Sequence, residues 1–173
     1  MNKKLRLVVT AKCHNRCPMC CNNRFNLNDL PKLERLDYDE IMITGGEPML
    51  YSADVINLVI SIRGVASCIG SNPKIYLYTA VPDAKATLEA LEYLDGVVVT
   101  PHTAKDVEEF IKLNEALPAD HGKSLRLNLF PEVAELLPAD LDLSKWVVKE
   151  MRWIKDCPVP DGEDLCRINP LFE

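Results

Sequence analysis

The sequence predicts an α/β fold, a partial (βα)6 barrel with parallel strands inside and helices outside. Three observations carry that expectation. Six short apolar runs recur along the 173 residues. Helical patterns lie between several of them. Two motifs rich in chemistry follow the first and second runs, where parallel α/β sheets bind their ligands. A closed eight-unit barrel takes ~250 residues and seldom fewer than ~200, so six units suit this length. The barrel is expected over residues 1–153, with 154–173 as a C-terminal tail.

The strand candidates are Leu5–Thr10, Ile41–Thr44, Lys74–Thr79, Gly96–Thr100, Ser124–Phe130 and Lys145–Trp153. Each is nearly continuously apolar, the pattern of parallel strands covered on both faces. Val55, Leu58, Val59 and Ile62 repeat at i, i+3, i+4 and i+7, which predicts an amphipathic helix after the second strand. Pro82 suits the first turn of a helix running to about Leu94. Thr103 and Asp106 form a capping box ahead of Val107, Phe110 and Ile111.

The first motif is Cys13-His-Asn-Arg-Cys17-Pro-Met-Cys20. Three thiolates spaced in this way can wrap one metal centre from a single loop, and three is one short of the four that an iron–sulfur cluster usually has. Zinc and a redox dithiol are the competing readings of Cys-x-x-Cys. Structural zinc closes with four ligands, and His14 and Cys21, each beside a motif cysteine, are poorly placed to be the fourth. The second motif, Gly45-Gly46-Glu47-Pro48, follows the apolar run 41–44. Paired glycines let the backbone turn at a strand end and approach a ligand with no side chain in the way, so that their N–H and C=O groups can bind its polar atoms.

Together these residues resemble the radical S-adenosylmethionine superfamily. The resemblance rests on Cys13, Cys17 and Cys20 followed by Gly45–Pro48, and covers the first third of the chain. It implies a 4Fe-4S cluster on the three cysteines, with S-adenosylmethionine chelating the fourth iron. Gly45, Gly46 and Glu47 would hold the methionine amino group, and Met19 would lie near the adenine. It also implies reductive cleavage to a 5′-deoxyadenosyl radical that takes hydrogen from a substrate. No protein acid or base is needed for that first step, and no catalytic side chain is assigned. Later strand ends would supply polar contacts to the cofactor, here Thr79, Thr100 and Asn128, with His102, Arg126 and Lys149 as further candidates. Thr79-Ala80-Val81 departs from the Thr-Asn-Gly often found in relatives.

The substrate is open among a protein loop, as for glycyl-radical-enzyme activases, a small heterocycle, and a peptide. A non-catalytic iron–sulfur or zinc protein would explain the cysteines but not Gly45–Pro48. Cys21, Cys68, Cys157 and Cys166 read as ordinary thiols, with Cys157 and Cys166 alternatively a disulfide, a metal half-site or a substrate contact. Residues 1–36 hold eight Lys and Arg against two Asp and Glu, so +6. The remainder holds twelve against twenty-four, so −12. The basic end suits an acidic electron donor such as flavodoxin or ferredoxin steered by Lys3, Lys4 and Lys32. No basic–aromatic array suggests nucleic acid. No signal peptide and no apolar run near 18 residues is evident, so no membrane association and a cytoplasmic location are expected.

Overall fold

Seven parallel strands form one sheet in the computed structural model, which describes residues 3–23, 26–155 and 158–173. The strands are β1 Lys4–Thr10, β2 Glu40–Gly45, β3 Lys74–Thr79, β4 Gly96–Val99, β5 Ser124–Leu129, β6 Val147–Glu150 and β7 Glu163–Phe172. Their order is β6-β5-β4-β3-β2-β1-β7. The helices are α1 Ser52–Cys68, α2 Ala84–Leu91, α3 Ala104–Ala116 and the single turn α4 Pro131–Ala134. From β1 to β6 each strand lies beside its predecessor. Right-handed crossovers taken always in one direction put every helix on the same face. Val55, Val59 and Ile62 of α1, Ala90 and Leu91 of α2, and Val107, Phe110 and Leu113 of α3 are buried there. They pack on Leu5, Leu7, Ile41, Ile43, Ile75, Leu77, Val97, Leu125 and Leu127, alternate residues of the strands.

The α/β class and the parallel sheet match the sequence expectation, and five differences follow from physical causes. First, the sheet is open: β6 and β7 are its edges and do not pair with each other. Second, it has seven strands rather than six. The seventh lies in the expected tail, as an edge strand whose apolar residues are interrupted by Arg167, Asn169 and Pro170. An apolar-run criterion passes over such a strand, and an edge tolerates its proline. Third, helices cover one face only, so β3 and β5 alternate. Tyr76, Tyr78, Arg126 and Asn128 point to the other face, and Lys149 of β6 lines the same side. Fourth, among the described residues the connection from β1 to β2 holds no α-helix, only 3-10 turns at Cys21–Asn23 and Leu27–Asp29. Fifth, Asp83 caps α2, which places Pro82 before the helix rather than in its first turn. The capping box at Thr103 and Asp106 is present in both directions.

Pro48–Cys68 is a helical stretch of 21 residues, apolar and long enough to cross a membrane by length and composition. The sequence expectation of no such run is corrected on that point. In this fold Val55, Val59, Ile62 and Ala66 of the stretch are buried in the core.

Asp95 fastens the sheet at the end opposite the strand C-termini. Its Oδ2 accepts from the Ile75 N–H at 2.8 Å and from Arg63 Nη2 at 2.6 Å, and its Oδ1 accepts from Lys74 Nζ at 3.0 Å. Burial pushes its carboxyl up, but the Ile75 N–H, Arg63 and Lys74 outweigh that and hold it below the ordinary carboxylate range. A depressed folded-state pKa contributes stability that is present above the unfolded value, near 3.9, and is lost as pH falls through the folded one. Asp95→Ala should cost about 2 kcal/mol at pH 7 and flatten the acid limb of a urea-unfolding series below about pH 4. An unchanged acid limb would contradict this role.

Candidate functional site

Thr10, the last residue of β1, is fully buried and joins three segments. Its Oγ1 donates to the Phe172 carbonyl at 3.0 Å and accepts from the Lys12 N–H at 3.1 Å. Its carbonyl accepts from the Gly46 N–H at 2.7 Å. The Lys12 carbonyl in turn accepts from the Glu47 N–H at 2.7 Å. The paired glycines therefore approach the chain's own backbone. A Cβ on Gly46 would lie 2.0 Å from the Lys12 oxygen, and one on Gly45 would lie 2.5 Å from the Thr10 oxygen. Gly45 also has φ +133°, a conformation that side-chain-bearing residues rarely adopt. The Gly-Gly step thus clamps the first residues of the cysteine loop onto the end of β2.

Glu47 is buried and caps the 3-10 turn Pro48–Tyr51. Its Oε1 accepts from the Met49 N–H at 3.0 Å and the Thr79 hydroxyl at 2.6 Å, and its Oε2 accepts from the Ala80 N–H at 2.8 Å. Burial pushes its carboxyl up, while the donors from Thr79, Met49 and Ala80 pull it back. One carboxylate thereby ties the ends of β2 and β3 together.

Cys13, Cys17 and Cys20 are free thiols that line one cavity of about 400 Å³ with Asn15, Arg16, Asn22 and Asn23. Burial pushes the Cys13 thiol up against a hydrogen bond from the Asn15 backbone, and negative charge on Glu47, Cys20 and Asp106 adds to the rise. Cys17 is pushed up to about 11 by burial, then by Cys20, Cys13 and Asp106. The three sulfurs thus lie within electrostatic reach of one another, and a cation between them would reverse these shifts. Among the described residues no three His, Cys, Asp or Glu side chains close around a single metal ion. A multi-iron cluster asks for a different arrangement, with each thiolate on its own iron.

A second cavity, about 720 Å³, lies on the open face of the sheet. Its wall at the strand C-termini includes Gly46, Thr79, Ala80, Thr100, His102 and Asn128. Asn128 Nδ2 donates to Thr100 Oγ1 at 3.1 Å. The His102 ring stacks on Trp153 with centroids 5.5 Å apart and lies against Phe130 at the same distance. Burial lowers the His102 pKa, against the pull of Asp106 and Glu132, which favours the neutral imidazole. The volume falls in the range of small-molecule sites.

Asp106 joins the two cavities. It is 1% exposed, and its Oδ2 accepts from the His102 N–H at 2.9 Å, the Thr103 N–H at 3.0 Å and Asn15 Nδ2 at 3.1 Å. His102 belongs to the larger cavity and Asn15 to the cysteine cavity.

Of the residues expected from sequence, Thr79, Thr100, His102, Arg126, Asn128, Lys149 and Gly46 line the larger cavity, and the three cysteines line the smaller one. Met19 sits on the Pro18–Met19 turn, 43% exposed, and lines neither. Gly45 acts through backbone packing. Thr10, Asp106 and Phe172 were not expected as site residues. Thr10 and Phe172 are unremarkable in sequence, and the capping box already accounted for Asp106. Cys68 is exposed at the end of α1 and Cys166 is in β7, both away from the cysteine loop. Cys157 and the Cys21 side chain lie outside the described residues, and with them the expected Cys157–Cys166 relationship.

Comparison with protein-family models, curated proteins and solved structures finds no match for this chain.

Lys3 and Lys4 stand at the start of β1, roughly 20 Å along the strand from the cysteine loop. Lys3 is paired with Asp37 and Lys4 with Glu40. The exposed cations on the cysteine loop itself are Lys12 and Arg16.

Proposed function

We propose that this protein is a radical S-adenosylmethionine enzyme on a partial-barrel scaffold. The observation that carries the reading is the pairing of Cys13, Cys17 and Cys20 around one cavity with a Gly-Gly-Glu-Pro strand end clamped to the base of the same loop. The sequential parallel order from β1 to β6, with helices on one face and a polar cavity on the other, supports the partial barrel.

In this reading Cys13, Cys17 and Cys20 hold a 4Fe-4S cluster with one iron left open. The donor set fits: three free thiols line one cavity, and a cation there would stabilise their thiolates. When bound, the cluster supplies the electron that cleaves the carbon–sulfur bond of S-adenosylmethionine. The chain's own residues bind and orient. Gly46 and Glu47 fix the loop that carries the cysteines, and the buried Glu47 carboxylate, held by Met49, Thr79 and Ala80, sets the strand end beside which the cofactor's ammonium would bind. Thr79, Thr100 and Asn128 offer hydroxyl and amide groups to the ribose and adenine. Met19 reaches the adenine only if its turn closes over the cavity. The location is proposed as cytoplasmic.

Anaerobic reconstitution followed by iron and sulfide analysis tests the metal centre. About four of each per chain are expected. Zinc, or iron without sulfide, would support a non-catalytic metal protein instead. An acidic donor such as flavodoxin or ferredoxin would dock at Lys12 and Arg16 rather than at Lys3 and Lys4. Lys12→Glu with Arg16→Glu should slow reduction by flavodoxin about tenfold at low salt and leave reduction by dithionite unchanged. Equal slowing with both reductants would remove the docking role.

A further inference from the structure

We infer that the larger cavity takes a small anionic substrate, bearing a carboxylate or phosphate that Arg126 and Lys149 hold. The inference rests on the radical-enzyme reading of the neighbouring cysteine loop, and its own observations are the following. The cavity is lined by Arg6, Arg126 and Lys149, and no carboxylate is among its lining residues. Glu163 and Glu40 are already engaged, by Arg6 and Lys4. Among the described residues the Arg126 and Lys149 side chains make no ion pair and no hydrogen bond within the protein, while their backbones belong to the strand ladder.

Their placement is suited to one anion. Asn128 faces Lys149 across the β5–β6 ladder, and Arg126 lies two residues before Asn128 on the same face. A rise of two residues and one strand spacing put the two backbone positions roughly 8 Å apart, within reach of one group for side chains this long. The Tyr76 ring lies 5.8 Å from the Arg126 guanidinium carbon, which leaves the planar fork beside an aromatic face rather than folded onto an acid. A guanidinium fork matches carboxylate and phosphate oxygens in pairs, and an ammonium adds a point charge. Arg126 and Lys149 are both exposed and solvated, so the excess of positive charge at a cavity of about 720 Å³ favours a small anion over a neutral ligand through added electrostatic attraction.

Isothermal titration of the full chain, purified anaerobically, tests this with two probes, inorganic phosphate and malonate. Saturable binding of at least one probe to the wild type is expected, and the stronger of the two identifies the anion class. Arg126→Gln with Lys149→Gln should weaken that binding at least tenfold. Lys105→Gln, on α3 and outside the cavity, should leave it within twofold. Both cavity side chains are exposed and make no ion pair among the described residues, and only Arg126 touches a ring, so a melting temperature close to that of the wild type is expected for the double variant. Saturating S-adenosylmethionine should leave phosphate or malonate binding in place. Displacement would assign the two cations to the cofactor's own carboxylate and overturn the inference. So would absence of saturable binding, or a double variant that binds like wild type, either of which would favour a protein-loop substrate. The two readings fail separately. If 5′-deoxyadenosine forms but neither anion binds, only the anion site is lost. If an anion binds but the protein holds no iron and sulfide, only the radical reading is lost.

Discussion

Replacing Gly46 by alanine will destabilise the protein by about 3 kcal/mol and release the cysteine loop from β2. The new Cβ would lie 2.0 Å from the Lys12 carbonyl oxygen, 2.6 Å from its carbon and 3.0 Å from the Ala11 carbonyl carbon. All three are backbone atoms, so no flexible side chain can swing aside. The Thr10–Lys12 segment must move, and with it go the bonds from the Gly46 N–H to Thr10 and from the Glu47 N–H to Lys12. Cys13 follows Lys12 directly, so the displacement passes into the thiol cavity. Iron retention should therefore fall with stability. Gly64→Ala is the internal comparison. It sits mid-helix in α1 with nothing within 4 Å of its added Cβ, and should stabilise by about 0.8 kcal/mol. Urea unfolding and iron analysis of both variants check this. Equal behaviour of the two glycines would contradict the clamp.

Cys13→Ala, Cys17→Ala and Cys20→Ala will each lose the iron and sulfide that the wild type holds, while Cys68→Ala and Cys166→Ala will keep them. A centre held by three thiolates has no protein ligand to spare, and two cannot hold a four-iron cluster against loss to solvent. Cys17 carries the largest expected effect. Its thiol feels both of the other two, and Asn15 and Arg16 before it line the same cavity. The fold should survive, since all three cysteines are exposed or half-buried loop residues outside the core. Unchanged iron in any one of the three, or loss of iron in Cys68→Ala, would break the three-thiol assignment.

Much of the fold was legible because local and tertiary forces agree there. β3 runs over Lys74–Thr79 as expected, with its start set by Asn72-Pro73. The Thr103–Asp106 capping box starts α3 because its hydroxyl and carboxylate satisfy orphan backbone donors, a purely local effect. Long-range pairing was less legible. β7 is recruited by β1 through Lys4–Glu163 to Val8–Arg167 pairing, and its sequence Glu-Asp-Leu-Cys-Arg carries no apolar run. Residues 11–39 have no periodicity of either kind in sequence, so the bridge of Pro31–Leu33 to β7, with the Leu33 N–H donating to the Arg167 carbonyl, could not be read from pattern. At the site, the cysteines and Gly45–Pro48 were visible as motifs. The glycines' partner was not, because it is the backbone of Thr10–Lys12, distant in sequence. Asp106 shows the same limit: a helix cap in sequence, it also holds Asn15 of the cysteine loop in space. The charge count placed Lys3 and Lys4 with the cysteines, whereas a seven-residue strand carries them to the opposite end of the sheet.

The measurement that tests the account most directly is product analysis after anaerobic reconstitution with iron and sulfide, using S-adenosylmethionine and dithionite as reactants. The account predicts 5′-deoxyadenosine and methionine from the wild type and neither above background from Cys17→Ala. Wild-type protein that holds about four iron and four sulfide yet forms no 5′-deoxyadenosine would contradict it.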